Sequence, residues 1–285
     1  MKSFELESWD GGRLIVNAEY GADLQRHALT SFQSLMEFEG GEIAKNLLRQ
    51  RVTTRFELDT PAGGSQAFYI KRHGPSPIKE YLKPLIRLRR PILGAKNEWD
   101  AILRFHEIGI PTMTPVAYGK SGPSSFLVTA AIEGCIKLSD WVESRFPANT
   151  ATDPQKLHDV PDRLLVESHS LATRVGAIAR TMHRAGLHHQ DFYLTHLLVP
   201  ERDTQSQLYV IDLGRVRQRK RLRSHWIIKD LAQLHYSSRR LPADTWQRFL
   251  HSYFQRSLNA QDEVLIRQIM KKSQSIARHS RKNRL

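Results

Sequence analysis

Gly186-Leu-His-His-Gln-Asp-Phe-Tyr-Leu-Thr-His-Leu-Leu-Val199 is the stretch on which the reading of this chain turns. It opens on a glycine that closes a long helical pattern, Leu164 to Ala185. There Leu165, Leu171, Val175, Ile178, Ala179 and Met182 recur at three- and four-residue spacing. It ends in a short apolar run, Leu197 to Val199, that reads as a strand, and a second such run follows at Leu208 to Ile211. Between them lie His189-Gln190-Asp191 and, five residues after the aspartate, His196. Directly after the second strand comes Asp212-Leu-Gly214. Each triplet has an ordinary explanation when taken alone, a packed histidine or a good turn. Their order and setting carry more.

Toward the N-terminus the pattern is that of strands. Thr53-Thr-Arg-Phe-Glu-Leu58 alternates, Asp59-Thr-Pro-Ala-Gly-Gly64 supplies turn chemistry, and Ala67-Phe-Tyr-Ile70 follows, which predicts a hairpin with Lys71 at its end. Arg13 to Val16, Val116 to Tyr118 and Ser125 to Ala130 read as further strands. From Lys96 to Ile108, Trp99, Ile102, Leu103 and Phe105 fall at helical spacing, Gly109 stops the helix, and Glu98 sits in its first turn. After Glu133-Gly134 the character changes: a short helix over Leu138 to Glu143, a polar loop from Arg145 to Asp162, the long helix, then helices from Trp226 onward. The expected fold is α+β and two-lobed, with a strand-rich N-lobe over 1–133, a helical C-lobe over 134–285, and a cleft between them.

A lysine at a strand end, a helix glutamate, His-x-Asp after a helix and Asp-x-Gly after a strand pair, in that order, make up the protein-kinase signature. Phosphoryl transfer needs positioning and charge neutralisation more than covalent help, which explains the residue types. Lys71 would hold nucleotide phosphates and Glu98 would fix its ammonium. Asp191 would orient the acceptor hydroxyl or take its proton. Asp212 would carry Mg²⁺, a hard cation that prefers oxygen ligands. Asp230, in Ile227-Ile-Lys-Asp-Leu231, either braces the catalytic loop through backbone hydrogen bonds or is an ordinary helix-start acid. Some parts depart from the pattern. In place of a Gly-x-Gly-x-x-Gly loop only Gly40-Gly41 sit between the early strands, and they are the candidates for cradling phosphate. Gln190 replaces the usual arginine and no Ala-Pro-Glu follows Gly214, so no activation-loop switch is expected. His196 stands where an asparagine ligand is usual and is the second candidate for the metal.

The residues quoted so far, with Phe68-Tyr-Ile-Lys-Arg-His73, Leu93-Gly-Ala-Lys-Asn-Glu-Trp99, Gly109-Ile-Pro-Thr-Met-Thr114 and Lys229-Asp-Leu231, resemble the Kdo/WaaP lipopolysaccharide kinase family over residues 35–285. The resemblance implies a protein-kinase-like fold and ATP-dependent phosphorylation, with Mg²⁺, of an inner-core sugar of lipopolysaccharide, heptose in preference to Kdo. Lys71, Glu98, Asp191, His196 and Asp212 fall on the family's motif, His196 included, and Gln190 departs from it.

Composition fits this reading. The chain has 285 residues with 43 Lys and Arg against 29 Asp and Glu, a formal charge of +14. Such an excess asks for an acidic partner: nucleic acid, an anionic membrane surface, or an acidic substrate or protein. The densest block, Arg215, Arg217, Arg219, Lys220, Arg221 and Arg223, contains no acid and follows Asp212-Leu-Gly directly, where a kinase binds its acceptor. Lys79 to Arg90 and the tail (Lys271, Lys272, Arg278, Arg281, Lys282, Arg284) add further cations. Basic residues at a membrane surface contribute about 1 kcal/mol each to binding anionic lipid. The partners expected are therefore the core glycolipid and an anionic membrane, with an acidic protein also admitted. Nucleic acid ranks last, because no nucleic-acid motif is present and aromatics do not interleave with the basic runs. Two rivals remain: a kinase of the same fold acting on protein or another small molecule, and a non-catalytic basic binder. One cysteine, Cys135, excludes an internal disulfide. An acidic N-terminal segment and the lack of a long apolar run predict a cytoplasmic protein, peripheral at the inner membrane face.

Overall fold

The computed structural model describes residues 3–48, 51–60, 63–75, 94–148 and 150–282. The basic run from Lys79 to Arg90 lies outside them. By contacts the chain divides into Met1–Glu133 with Leu213–Arg215, and Gly134–Asp212 with Val216–Leu285.

The first unit is an antiparallel sheet of seven strands: β1 (Leu6–Trp9), β2 (Leu14–Asn17), β3 (Glu42–Leu48), β4 (Arg51–Asp59), β5 (Ser65–His73), β6 (Pro115–Ser121) and β7 (Ser124–Ala130). Their spatial order is β1-β2-β6-β7-β5-β4-β3. The β4–β5 hairpin expected from alternation is present, with Phe56 opposite Phe68 and their rings stacked at 5.5 Å. Such a cross-strand aromatic pair pins the register. Phe56, Phe68, Phe126 and Val128 share one core with Leu14, Val16, Leu24, Phe32 and Leu35. The last three come from α1 (Gly21–Arg26) and α2 (Phe32–Glu37), so the N-terminal segment covers one face of the sheet. Arg72 fastens it: its guanidinium donates to the carbonyls of Leu35 and Phe38 at the end of α2 and to Thr54 Oγ1. On the other face lies α3 (Lys96–Glu107), with Trp99 against Tyr118 at 5.8 Å. Tyr118 and Lys71 both pair with Leu127, so period-2 alternation sends Lys71 toward the α3 side.

Gly40 and Gly41 precede β3 and do not lie within the β3–β4 hairpin, whose strands are joined by Arg49-Gln50, outside the described residues. Gly41 has φ +133°, and a Cβ there would come within 2.4 Å of the Arg55 carbonyl oxygen. Close strand approach thus accounts for this glycine. β1 and β3 were not evident in the sequence, since neither has an apolar alternation.

The second unit carries the helices α4 (Leu138–Arg145), α5 (Pro154–His158), α6 (Asp162–Arg184), α7 (Ser224–Ser237), α8 (Ala243–Phe254) and α9 (Ala260–Lys282). A three-stranded sheet orders β11 (Tyr209–Val210), β10 (Leu197–Pro200) and β8 (Cys135–Lys137), and β9 (Leu187–His188) pairs with β12 (Arg217–Gln218). The segment expected as a plain loop contains α5, started by Pro154 and capped by the Asp153 carboxylate. α6 and α8 cross closely at Gly176, where a Cβ would meet the Phe249 carbonyl oxygen at 2.7 Å. This unit also contains an apolar cavity of about 220 Å³ bordered by Trp141, Val142, Leu171, Leu194, Trp246 and Phe249.

Candidate active site

In the first unit, Lys71 Nζ lies 2.5 Å from Glu98 Oε1, the lysine side chain 30% exposed and the glutamate 6%. The pair is fixed from both sides. Lys71 is held in β5, and the start of α3 is tied to β7 by the Ala95 N–H donating to Ser125 Oγ at 3.0 Å. Gly94, with φ +71°, makes that approach feasible, since a Cβ would sit 2.5 Å from the same hydroxyl. Leu213–Arg215 docks on α3 as well: Leu213 is fully buried, and Asn97 Nδ2 donates to the Gly214 carbonyl at 2.9 Å. A Cβ at Gly214 would come within 3.3 Å of Glu98 Oε2. The helix that orients Lys71 therefore also reads the position of the Asp-Leu-Gly segment. Asn97 was not singled out in the sequence, and nothing in local patterning marks it.

In the second unit, the segment from His189 to His196 is clamped by one face of α7. Asp230, fully buried, accepts from the backbone N–H groups of His189 at 2.7 Å and Gln190 at 2.8 Å. One turn on, Gln233 accepts from the Phe192 N–H and donates to the Gln190 carbonyl. Ser237 Oγ then accepts from the Leu194 N–H. Positions 230, 233 and 237 lie on one helix stripe, so the brace runs along four loop residues. The alternative of a simple helix-start acid for Asp230 is set aside by this geometry; Gln233 and Ser237 went unnoticed because glutamine and serine carry no pattern. Burial raises the Asp230 carboxyl, but hydrogen bonding and charge from His183, with the backbone N–H of His189, outweigh it and hold it below its ordinary value. The clamp keeps Gln190 in the left-handed region at φ +74°, a strain tolerated where the surroundings over-determine it.

His189 is fully buried, with Nε2 3.2 Å from the Ile211 carbonyl and Nδ1 accepting from the Asp191 N–H. Burial lowers its pKa, so it is a neutral link between the Asp191 loop and the residue before Asp212. His196 Nδ1 lies 2.7 Å from the Asp191 carbonyl, which can only accept, so Nδ1 carries the proton. In the neutral ring Nε2 is then a lone-pair donor, and it faces Asp212 Oδ2 at 3.5 Å. A nitrogen lone pair beside a carboxylate is a donor set that fits a cation. Asp212, at φ +59°, is the last residue of this unit before the chain enters the other.

Of the basic block, Arg215 belongs to the first unit, while Arg217, Arg219, Lys220, Arg221 and Arg223 belong to the second. All except the half-buried Arg217 are exposed. The geometry thus brings Lys71, Glu98 and Gly214 together in one unit, and Asp191, His196, Asp212 and Asp230 in the other.

A sheet lysine tied to a helix glutamate, a His-x-Asp loop braced by a buried aspartate, and an Asp-x-Gly segment docked on the glutamate's helix define a phosphotransferase of protein-kinase-like fold. The chain belongs to the lipopolysaccharide kinase (Kdo/WaaP) family, whose model matches residues 42–253. It is 34% identical over 226 residues to the lipopolysaccharide core heptose(I) kinase WaaP of Escherichia coli, covering 75% of this chain and 78% of that one. To the protein of the same name from Pseudomonas aeruginosa it is 35% identical over 236 residues, covering 78% and 81%. Among solved structures, that of WaaP in complex with acyl carrier protein matches with a TM-score of 0.68 at 28% identity, over 92% of this chain and 98% of that one. The enzyme is a kinase with an alcohol group as acceptor, and it uses ATP. Among the described residues no helix is long and apolar enough to cross a membrane.

Proposed function

We propose that this chain transfers the γ-phosphoryl group of ATP to a heptose hydroxyl of the lipopolysaccharide inner core. What carries the reading is the 33–35% identity to proteins named core heptose(I) kinases across three quarters of the chain or more. In the reaction the sugar oxygen bonds to the γ-phosphorus, the bond to the β,γ-bridging oxygen breaks, and Asp191 orients the hydroxyl and receives its proton. Lys71, steadied by Glu98, meets the nucleotide phosphates as a point charge. Asp212 and His196 are the residues that would hold Mg²⁺, which supplies charge neutralisation at the phosphoryl oxygens. Among the described residues no three His, Cys, Asp or Glu side chains gather as a metal site. Mg²⁺ commonly takes one or two carboxylates together with substrate phosphates. Gly40 and Gly41 have a packing reason already and are left out of the nucleotide site.

The exposed cations from Arg215 to Arg223 are assigned to the anionic glycolipid, with the protein working at the inner face of the cytoplasmic membrane. An acidic protein partner of the acyl carrier type is supported by the charge of +14 and by the apolar cavity, which is large enough for part of an acyl chain. The test is incubation with ATP, Mg²⁺ and core lacking heptose phosphate, with products read by mass spectrometry. Phosphate should appear on heptose and be abolished by Asp191→Ala. Transfer to protein hydroxyls alone, or none beyond the Asp191→Ala control, overturns the reading. For the partner, acylated carrier protein should bind more tightly than its unacylated form; equal affinity would show that the cavity takes no acyl chain.

A further inference from the structure

The basic segment after Asp212 is stitched to the catalytic loop by a short and unusual seam. β12 pairs with β9 at only two positions, Arg217 with His188 and Gln218 with Leu187. One further bond extends the ladder, the Arg219 N–H donating to the Gly186 carbonyl at 2.9 Å. Gly186 is at φ +75°, and a Cβ there would lie 2.2 Å from the Arg219 carbonyl oxygen, so the two strands meet only because this residue is glycine. A ladder of two residues is marginal by itself. Something else must hold it.

That is Trp226, in the first turn of α7. The His188 ring stacks on its indole with centroids 4.3 Å apart and planes at 25°. The Arg219 guanidinium carbon lies over the same indole, 5.4 Å from the centroid, within the range of a cation–π contact. The His225 ring packs at 4.6 Å. His188 is fully buried, and among the described residues neither of its ring nitrogens has a hydrogen-bond partner. An imidazole with no polar contact serves as a flat packing surface, and burial keeps it neutral, with a pKa lowered to about 4. Neutrality matters because Arg219 and Lys229 both disfavour its cation. The stack thus joins β9, three residues before Asp191, to the exposed arginine of the basic segment.

We propose that Trp226 is a positioning residue for the anionic acceptor: it holds Arg219 and the β12 strand at a fixed place beside the loop that carries Asp191. This rests on the reading of the basic segment as the acceptor site. In this role Trp226 acts through Arg219, whose guanidinium lies over its indole. Truncating it frees the arginine and the strand, which weakens acceptor binding while leaving the Lys71–Glu98 machinery of the first unit alone. Arg219 is exposed, so Arg219→Gln reports on the acceptor contact separately from damage to the core.

The experiment is steady-state kinetics with ATP and phosphate-free core, together with equilibrium binding of that core, for Trp226→Leu, Trp226→Phe and Arg219→Gln. Trp226→Leu and Arg219→Gln should each raise the acceptor KM and Kd at least fivefold, with the ATP KM within twofold. Trp226→Phe, which keeps a ring for both contacts, should recover most of the loss. Unchanged acceptor KM and Kd in Arg219→Gln overturns the proposal. So does Trp226→Phe as impaired as Trp226→Leu, or a parallel rise in both KM values. Should the wild type bind core without phosphorylating it, the functional reading falls while the binding comparison still judges Trp226.

Discussion

Two side chains make the sharpest tests. Lys71 reaches Glu98 at 2.5 Å inside a setting that leaves the glutamate 6% exposed. Lys71→Met removes one preorganised donor to the phosphates, and losses of about 10²- to 10³-fold in kcat are typical of such deletions. Measured turnover should fall by that order, with the acceptor Kd unchanged. His188 provides the second test, through pH. Its folded pKa of about 4 lies below the ordinary 6.5, so on acidification the unfolded chain binds a proton first. Stability present above about pH 6.5 is then lost as pH falls toward 4, and between pH 7 and pH 5 the loss is about 2 kcal/mol. His189 and His235 are also lowered by burial and add slope of the same sign. The readout is therefore the difference made by His188→Phe: urea unfolding from pH 5 to 7 should show a flatter slope than the parent. An unchanged slope would show that His188 does not titrate in this way.

Between elements, the informative joint is the one linking α3 to Leu213–Arg215. Gly214→Ala places a methyl within 3.3 Å of Glu98 Oε2, so the carboxylate must yield and the Lys71 pair loosens. The expected outcome is a drop in kcat/KM for ATP of tenfold or more in the folded fraction, because Glu98 is buried beside Gly214 and cannot yield without disturbing its pair with Lys71. A large fall in Tm with normal kinetics in the folded fraction would contradict this. The same joint shows what could and could not be foreseen. Lys71 and Glu98 were legible because a strand end and a helix first turn follow from periodicity, and their chemistry is complementary. The β4–β5 hairpin and α3 were legible for the same reason. Asn97, Gln233 and Ser237 were not, because a hydrogen bond from a side chain to a distant backbone leaves no repeat in the sequence. At Gly40-Gly41 a glycine pair suggests a phosphate loop, and the structure gives Gly41 a packing role, since a Cβ there would meet Arg55 and Phe56. α5 was hidden in a stretch so polar that its single turn, made by an Asp153 cap and Pro154, showed no apolar face.

Across the whole chain the excess of +14 governs association more than folding. If the exposed cations grip an anionic acceptor, raising NaCl from 50 to 300 mM should raise the acceptor KM severalfold through screening, because the Debye length shortens to below about 8 Å. The ATP KM should move less, since Lys71 and Glu98 form a half-buried pair. Equal sensitivity of both KM values would detach the basic block from the acceptor. The sheet of the first unit carries a different consequence. The region matched by the family model begins at residue 42, but β2 supplies the partner of β6, and Leu14, Val16, Leu24, Phe32 and Leu35 fill the core behind Phe68 and Phe126. A fragment cut at the start of that region would leave β6 as a bare template for other chains and uncover a wall of aromatic rings. Expressed from residue 42, the protein should collect in the insoluble fraction, whereas the chain that keeps its first forty residues stays in solution. Where the match to the family model begins and where the closed sheet begins are, in this kinase, different positions.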